Sequence, residues 1–131
     1  MYQEFEHQQA LIIGGSSGIG QTIAEMLLNY GTSVTIVGRN SEKLQAALSY
    51  LAQFGKVQGW QTDIGDCQQM SSLVERIASE LPGVRYLVNS AGVFLPKTFL
   101  EHSEADYDRY LNINYGTLWN VDGGVMAGRN A

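Results

Sequence analysis

The feature that most constrains the fold is a glycine-rich stretch, IIGGSSGIG at residues 12–20, that directly follows an apolar run. Residues 10–14 (ALIIG) predict a buried β-strand, and the apolar spacing after the glycines predicts a helix that ends at Gly31. A glycine turn between a strand and a helix leaves unpaired N–H groups at the helix amino end, where the helix dipole favours negative charge. We therefore expect a phosphate or pyrophosphate at this turn.

The same unit recurs along the chain. Further strands are predicted at residues 33–38, 56–63 and 85–92. Helices are predicted to begin near Asn40 or Ser41, after a cap at Asp66, and at a capping box over residues 103–106. Strands that alternate with amphipathic helices predict an α/β protein with a parallel sheet covered by helices. Residues 120–131 predict a short strand and a loose tail.

Composition limits the class of protein further. A chain of 131 residues with 44% apolar and 16% charged residues fits one globular domain, and it has no apolar run long enough to span a membrane. The first ten residues lack the apolar block of a secretory signal, so we expect a cytoplasmic location. A net charge of −5 argues against a nucleic-acid partner. The single cysteine, Cys67, cannot form an internal disulfide, and no Cys/His cluster has the spacing of a metal site.

Each residue of the glycine turn has a predicted role. Gly14 and Gly18 let the backbone turn sharply and approach a ligand, and Gly20 lets the helix pack closely on the strand. Ser16 and Ser17 can donate hydroxyl hydrogen bonds. The alternative is a turn that merely tolerates glycine, but the strand before it and the helix after it favour a nucleotide.

The end of the second strand indicates which nucleotide. An acidic residue about twenty positions after such a turn hydrogen-bonds the hydroxyls of the adenosine ribose. Here the sequence is VGRN, with no carboxylate. The Arg39 guanidinium suits a 2′-phosphate, and Asn40 and Ser41 offer further donors. This pattern favours NADP (NADPH) over NAD, with a solvated arginine as the alternative.

With these motifs in order, the chain resembles the classical short-chain dehydrogenase/reductase family over residues 8–119 and again over its last dozen residues. GGSSGIG looks like the family's cofactor motif, which includes Ile19, and Ile13 stands where a threonine is usual. TDI at residues 62–64 looks like the adenine-binding step. The resemblance implies that Asp63 accepts from the adenine amino group and that Ile64 packs on the ring. The alternative for Asp63 is a helix cap.

Two further motifs carry the resemblance. NSAG at residues 89–92 looks like the family's Asn-Asn-Ala-Gly motif, which implies that Ala91 and Gly92 admit the adenosine ribose and that Asn89 ties neighbouring backbone together. NINYG at residues 112–116 is similar to the segment that carries the asparagine of the catalytic tetrad. The resemblance thus implies that Asn114 is the catalytic residue contained in this chain.

The resemblance also implies an incomplete Rossmann-like doubly wound parallel sheet of four to five strands with flanking helices, in the strand order 3-2-1-4-5-6. Residues 1–119 would form the NAD(P)-binding part of one domain, and residues 120–131 its final strand and tail. The family's catalytic Tyr-x-x-x-Lys pair is missing, since none of the seven tyrosines is followed four positions on by a lysine. We therefore expect an internal gap between about Leu118 and Asn120, and a chain that does not catalyse by itself.

Two functions follow from these expectations. The first is an NADP-dependent oxidoreductase that transfers hydride to or from a small alcohol or carbonyl substrate, and that is a homo-oligomer in its complete form. The second is a dinucleotide-binding or interaction module without catalytic activity.

Overall fold

The computed structural model describes residues 3–91 and 99–110. Its strands are β1 (Gln9–Ile13), β2 (Ser33–Gly38), β3 (Val57–Gln61) and β4 (Val84–Asn89). Its α-helices are α1 (Gly18–Asn29), α2 (Ser41–Leu51), α3 (Cys67–Glu80) and α4 (Glu104–Tyr110). Short 3-10 helices lie at Gln3–Phe5 and Phe99–Glu101. Strand and helix therefore alternate as the sequence predicts.

The four strands of the described residues form one parallel sheet in the order β3-β2-β1-β4. Ile12 of β1 lies between Ile36 of β2 and Val88 of β4. Because β1 is central and β4 lies beside it, the loops after β1 and β4 meet at the same edge of the sheet. This is the first part of the 3-2-1-4-5-6 order, and it confirms a Rossmann-like α/β fold.

Successive residues of β1 point to opposite faces of the sheet, and each face has its own core. On one face, Leu11 and Ile13 pack in a cluster with the buried α3 residues Met70, Leu73 and Ile77. The opposite face carries a second cluster, whose members are Ala10, Ile12, Val34, Ile36, Ala24, Leu27, Leu28, Leu44, Ala47 and Leu51. Helices α1 and α2 therefore cover one face of the sheet, and α3 covers the other. This packing on both faces fixes the edge of the sheet at which the strands end.

Three predicted strands end earlier in the structure than expected. Gly14 leaves β1 because its φ of +86° is outside the β region. The chain turns after β3 where Asp63 Oδ1 accepts a hydrogen bond from the Gly65 N–H, and it turns after β4 where Asn89 Oδ1 accepts one from the Ala91 N–H. Such local side-chain hydrogen bonds compete with the strand conformation and so end the strand. The predicted bounds of β2, residues 33–38, are confirmed.

The predicted helix caps are confirmed. Asp66 precedes α3, and its carboxylate accepts hydrogen bonds from the backbone N–H groups of Gln68 and Gln69. At the start of α4, the Ser103 N–H donates to Asp106 Oδ2 and the Asp106 N–H donates to Ser103 Oγ. This reciprocal pair is a capping box, with aspartate in the place of the usual glutamate or glutamine.

Several expectations lie outside the described residues: Gly92, Asn114, the internal gap near residues 118–120, and the strand and tail at residues 120–131. Within residues 3–91 and 99–110, β4 neighbours β1 on one side and forms an edge of the sheet. No helix of this part is long and apolar enough to cross a membrane, and it contains no cluster of metal-ligating side chains. Cys67 is exposed.

Candidate cofactor site

The glycine turn between β1 and α1 adopts a backbone conformation that other residues rarely take. The φ angle is +86° at Gly14 and +58° at Gly18, both in the left-handed region that favours glycine. The Gly14 N–H donates to the carbonyl of Val37 at 2.8 Å, which anchors the turn to β2. Ser17 occupies the N-cap position of α1, and its side chain makes no capping hydrogen bond. The first N–H groups of α1 thus have no side-chain acceptor from their cap, as an anion site at a helix amino end requires.

The turn also packs tightly against the end of β4. A Cβ atom on Gly14 would lie 2.8 Å from the backbone nitrogen of Ala91, and a Cβ atom on Gly20 would lie 2.4 Å from Ser90 Oγ. Ser90 Oγ lies 3.0 Å from the carbonyl oxygen of Ile13 and 3.1 Å from that of Gly14, within hydrogen-bond distance of both. The turn is therefore held in a narrow space between α1 and β4, where a side chain would not fit.

A cleft of about 580 Å³ opens above the turn, at the carboxyl ends of the strands. Ten of the predicted cofactor residues line it, namely Gly14, Ser16, Ser17, Gly18, Ile19, Gly20, Arg39, Asp63, Ile64 and Ala91. They come from the glycine turn and from the loops after β2, β3 and β4. In a doubly wound sheet, the crevice at the carboxyl ends of the strands is where ligands bind. Tertiary structure thus gathers predicted residues that are up to 77 positions apart, from Gly14 to Ala91, around one space.

Arg39 and Asp63 carry opposite charges on the wall of this cleft. The Arg39 side chain is exposed, and no carboxylate of the described residues lies within ion-pair distance of its guanidinium. One Asp63 oxygen accepts from the Gly65 N–H at 3.0 Å, and its other oxygen makes no hydrogen bond within this part of the chain. The alternative role of Asp63 as a helix cap is wrong, since Asp66 caps α3. Both side chains therefore have hydrogen-bonding capacity left for a ligand.

Asn40 and Asn89 are not among the residues that line the cleft. Asn40 Oδ1 accepts a hydrogen bond from the Lys43 N–H and caps α2, because a short polar side chain just before a helix satisfies one of its free N–H groups. The Asn89 hydrogen bond to the Ala91 N–H, at 3.2 Å, ties the backbone together as expected. Both hydrogen bonds hold loops that line the cleft.

Sequence analysis did not single out Arg109 of α4, which lines the same cleft. Arg109 is 70 positions from Arg39 and belongs to no recognised motif. The capping box that starts α4 was the available signal, because it locates the helix that carries Arg109. It does not show which side of the sheet that helix approaches.

Strand order, glycine turn and cleft together define a Rossmann-like nucleotide-binding fold. The family model described as short chain dehydrogenase matches residues 8–127. The chain belongs to this family, as the resemblance of its motifs predicted. An uncharacterized oxidoreductase of Staphylococcus aureus (strain MW2) is 32% identical over 113 residues, which cover 86% of this chain and 48% of that protein.

Solved structures agree with the family assignment. L-Sorbose reductase from Gluconobacter frateurii, complexed with NADPH and L-sorbose, is 27% identical with a TM-score of 0.88, over 98% of this chain and 50% of that one. A citronellol catabolism dehydrogenase of Pseudomonas aeruginosa PAO1 is 29% identical with a TM-score of 0.85, over 95% of this chain and 52% of that one. The chain thus spans about half the length of the relatives that it matches.

Proposed function

We propose that this chain carries the cofactor-binding half of an NADP-dependent oxidoreductase, which transfers hydride between the cofactor and a small alcohol or carbonyl compound. The observation that carries this proposal is the cleft in which the glycine turn, Arg39 and Asp63 meet. The named activities of the sorbose reductase and the citronellol dehydrogenase support an alcohol or carbonyl substrate. The NADPH bound to the reductase supports the choice of cofactor.

The residues of the cleft fit the parts of a dinucleotide in order. The N–H groups and dipole at the start of α1 suit the pyrophosphate. The absence of a side chain at Gly18, where a Cβ atom would lie in open space, lets the pyrophosphate approach, and Gly14 lets the turn pack closely on Ala91. Ser16 and Ser17 offer hydroxyl donors, and Ile19 lies on the exposed side of the turn with 76% of its surface accessible. When bound, the nicotinamide cofactor supplies or accepts the hydride.

The adenosine end fits the other wall of the cleft. The free Asp63 oxygen can accept from the adenine amino group, and Ile64 can pack on the ring. Arg39 can pair with a 2′-phosphate by two parallel hydrogen bonds. Ala91 and Gly92 are small enough to admit the ribose, and the side chain of Asn89 supports the backbone of Ala91.

The catalytic part of the proposal rests on the family resemblance. Asn114 is proposed as the tetrad asparagine, and the 131 residues are proposed not to catalyse alone because they contain no Tyr-x-x-x-Lys pair. Residues 1–119, with 120–131 as a final strand and tail, are proposed as one domain. A cytoplasmic location and a homo-oligomeric complete protein belong to the same proposal.

The missing Tyr-x-x-x-Lys pair favours one second candidate, a module that binds a dinucleotide without redox activity. Calorimetric titration of the chain with NADPH and NADH, followed by NADPH oxidation assays with a panel of ketones, separates the two candidates. The complete oxidoreductase should bind NADPH and oxidise it, whereas the chain of 131 residues should bind NADPH without turnover. If the natural full-length protein is itself inactive, the module is favoured. A chain that binds neither nucleotide would contradict both candidates.

A further inference from the structure

A second arginine faces the region in which Arg39 lies. Arg109, on the last turn of the described part of α4, lines the main cleft together with Arg39 and Asp63. The same three residues also line a neighbouring cavity of about 450 Å³, whose other lining residues are Gly65, Ala105, Asp106 and Asp108. Arg109 and Arg39 thus share two adjoining spaces, although they belong to separate elements of the fold.

Neither arginine has a carboxylate partner in the described residues. The ion pair of this part of the chain joins Arg76 to Glu80, at 2.6 Å and one helical turn apart. At the start of α4, Asp106 Oδ2 accepts a hydrogen bond from the Ser103 N–H, so this oxygen belongs to the capping box. Two exposed guanidinium groups on the wall of one cleft create a positive potential that attracts anions. The arrangement therefore fits an anion site rather than an internal salt bridge.

The carboxylates nearby are distributed unevenly. Asp106 and Asp108 line the neighbouring cavity but not the main cleft, where Asp63 is the carboxylate among the lining residues, together with both arginines. An anion in the main cleft would thus meet two positive charges and one negative charge. An anion in the neighbouring cavity would meet two positive and three negative charges, so the balance of charge favours the main cleft.

We propose that Arg109 is a second residue that binds the 2′-phosphate of NADP, opposite Arg39, and that it helps to set the preference for NADP over NAD. This inference rests on the proposed function. A phosphate monoester carries about −1.5 to −2 charges near neutral pH and three acceptor oxygens, enough for two guanidinium groups. Arg39 reaches it from the end of β2 and Arg109 from α4, so the phosphate links the helix to the sheet.

The test measures binding of two probes by calorimetry, adenosine 2′,5′-bisphosphate and adenosine 5′-monophosphate. They share the adenosine and the 5′-phosphate and differ in the 2′-phosphate. The variants are Arg109→Ala, Arg109→Lys and Arg39→Ala, all in the 131-residue chain. Arg85→Ala is the matched control, because Arg85 is exposed on β4, lines neither cavity and changes the net charge equally. Circular dichroism of each variant verifies that the fold is retained.

We expect Arg109→Ala to lower the affinity for the bisphosphate about tenfold, because it loses one charge-assisted hydrogen bond. The affinity for the monophosphate should not change. Arg109→Lys should recover part of the loss, because it restores the charge but not the planar pair of donors. The affinity for the bisphosphate should also depend less on salt in Arg109→Ala than in the wild type. Arg85→Ala should bind both probes as the wild type does.

The contrary results separate this inference from the proposed function. If Arg39→Ala loses the preference for the bisphosphate while Arg109→Ala keeps it, Arg109 has no such role and the NADP proposal stands. If Arg109→Ala weakens both probes equally, Arg109 binds a different part of the nucleotide and the inference is wrong. If the wild-type chain binds the two probes equally, or binds neither, both the inference and the preference for NADP are wrong.

Discussion

A Cβ atom on Gly20 would lie 2.3 Å from the carbonyl oxygen of Gly14, far closer than unbonded atoms approach. Gly20 belongs to the first turn of α1, and Gly14 is the residue at which the chain leaves β1. Their contact sets how closely α1 approaches the strand, and therefore where its free N–H groups point.

This contact predicts the effect of Gly20→Ala. The added methyl group must push α1 away from Gly14. As in other cases of overpacking, we expect the free energy of unfolding to fall by about 1–3 kcal/mol, and the affinity for NADPH to fall at least tenfold. The control is Gly83→Ala. A Cβ atom on Gly83 would lie no closer than 3.5 Å to its nearest neighbour, the Gln9 Oε1 atom, and Gly83 lines neither cavity, so we expect little change in NADPH affinity. Urea unfolding and calorimetry measure both effects, and equal loss of NADPH affinity in the two variants would contradict the explanation.

Arg39 predicts the choice of cofactor. Replacing Arg39 with aspartate removes the partner of the 2′-phosphate and supplies a carboxylate that can accept from ribose hydroxyls. We expect Arg39→Asp to lower the affinity for NADPH about 100-fold, because it loses a bidentate charged pair and adds repulsion of the 2′-phosphate. The affinity for NADH should rise. Calorimetric titration with both nucleotides measures the change. An unchanged ratio of NADPH to NADH affinity would show that Arg39 lies outside the cofactor contact.

Asp63 and Asp66 are three positions apart, and their variants should have separate effects. Asp66→Ala removes the cap of α3, so we expect the free energy of unfolding to fall by about 1 kcal/mol with little change in NADPH affinity. Asp63→Asn keeps an oxygen for the Gly65 N–H but places an amide donor towards the adenine amino group, which is also a donor. This variant should therefore lower the affinity for NADPH and leave the free energy of unfolding nearly unchanged. Thermal unfolding and calorimetry of both variants test this separation. Finding the two effects exchanged would refute the assignment of roles.

Tyr50 predicts how stability depends on pH. Its hydroxyl on α2 donates to the Glu25 carboxylate on α1 at 3.2 Å. Partial desolvation, and then the hydrogen bond and negative charge of Glu25, raise the pKa of Tyr50 above its ordinary value. The folded protein therefore holds this proton more tightly than the unfolded chain. The resulting stability is fully present below the ordinary tyrosine pKa of about 10 and is lost as the pH rises through the raised pKa.

The Tyr50→Phe variant measures this contribution. The difference in free energy of unfolding between wild type and Tyr50→Phe should be constant between about pH 7 and pH 10 and shrink above it. Glu25→Gln is the matched control, since it keeps a hydrogen-bond acceptor but removes the charge, and it should reduce the dependence on pH. If the difference instead grew with rising pH, the folded protein would hold the Tyr50 proton less tightly than the unfolded chain, which would contradict a raised Tyr50 pKa.

Features that depend on neighbouring residues were predictable from the sequence. The strands, the glycine turn, the cap at Asp66 and the capping box at residues 103–106 each depend on chemistry within a few positions of the chain. The helix start predicted at Asn40 or Ser41 is confirmed, because Asn40 Oδ1 accepts a hydrogen bond from the Lys43 N–H and caps α2. Local sequence does not decide whether the amide N–H₂ of Asn40 also donates to a ligand, since capping uses the oxygen of the side chain.

Other features depended on packing between distant segments. The Ser90 hydroxyl lies at hydrogen-bond distance from the Gly14 carbonyl, 76 positions away in the chain. Arg109 lines the same cleft as Arg39, from which it is 70 positions away. The pattern of apolar residues says that a helix packs on the sheet, but not which polar side chain it then presents to the cleft. The local sequence determined the turn that can hold a phosphate. The order of the strands and the packing of helices on their two faces decided which charges surround it, because only these bring the carboxyl ends of separate strands to one edge.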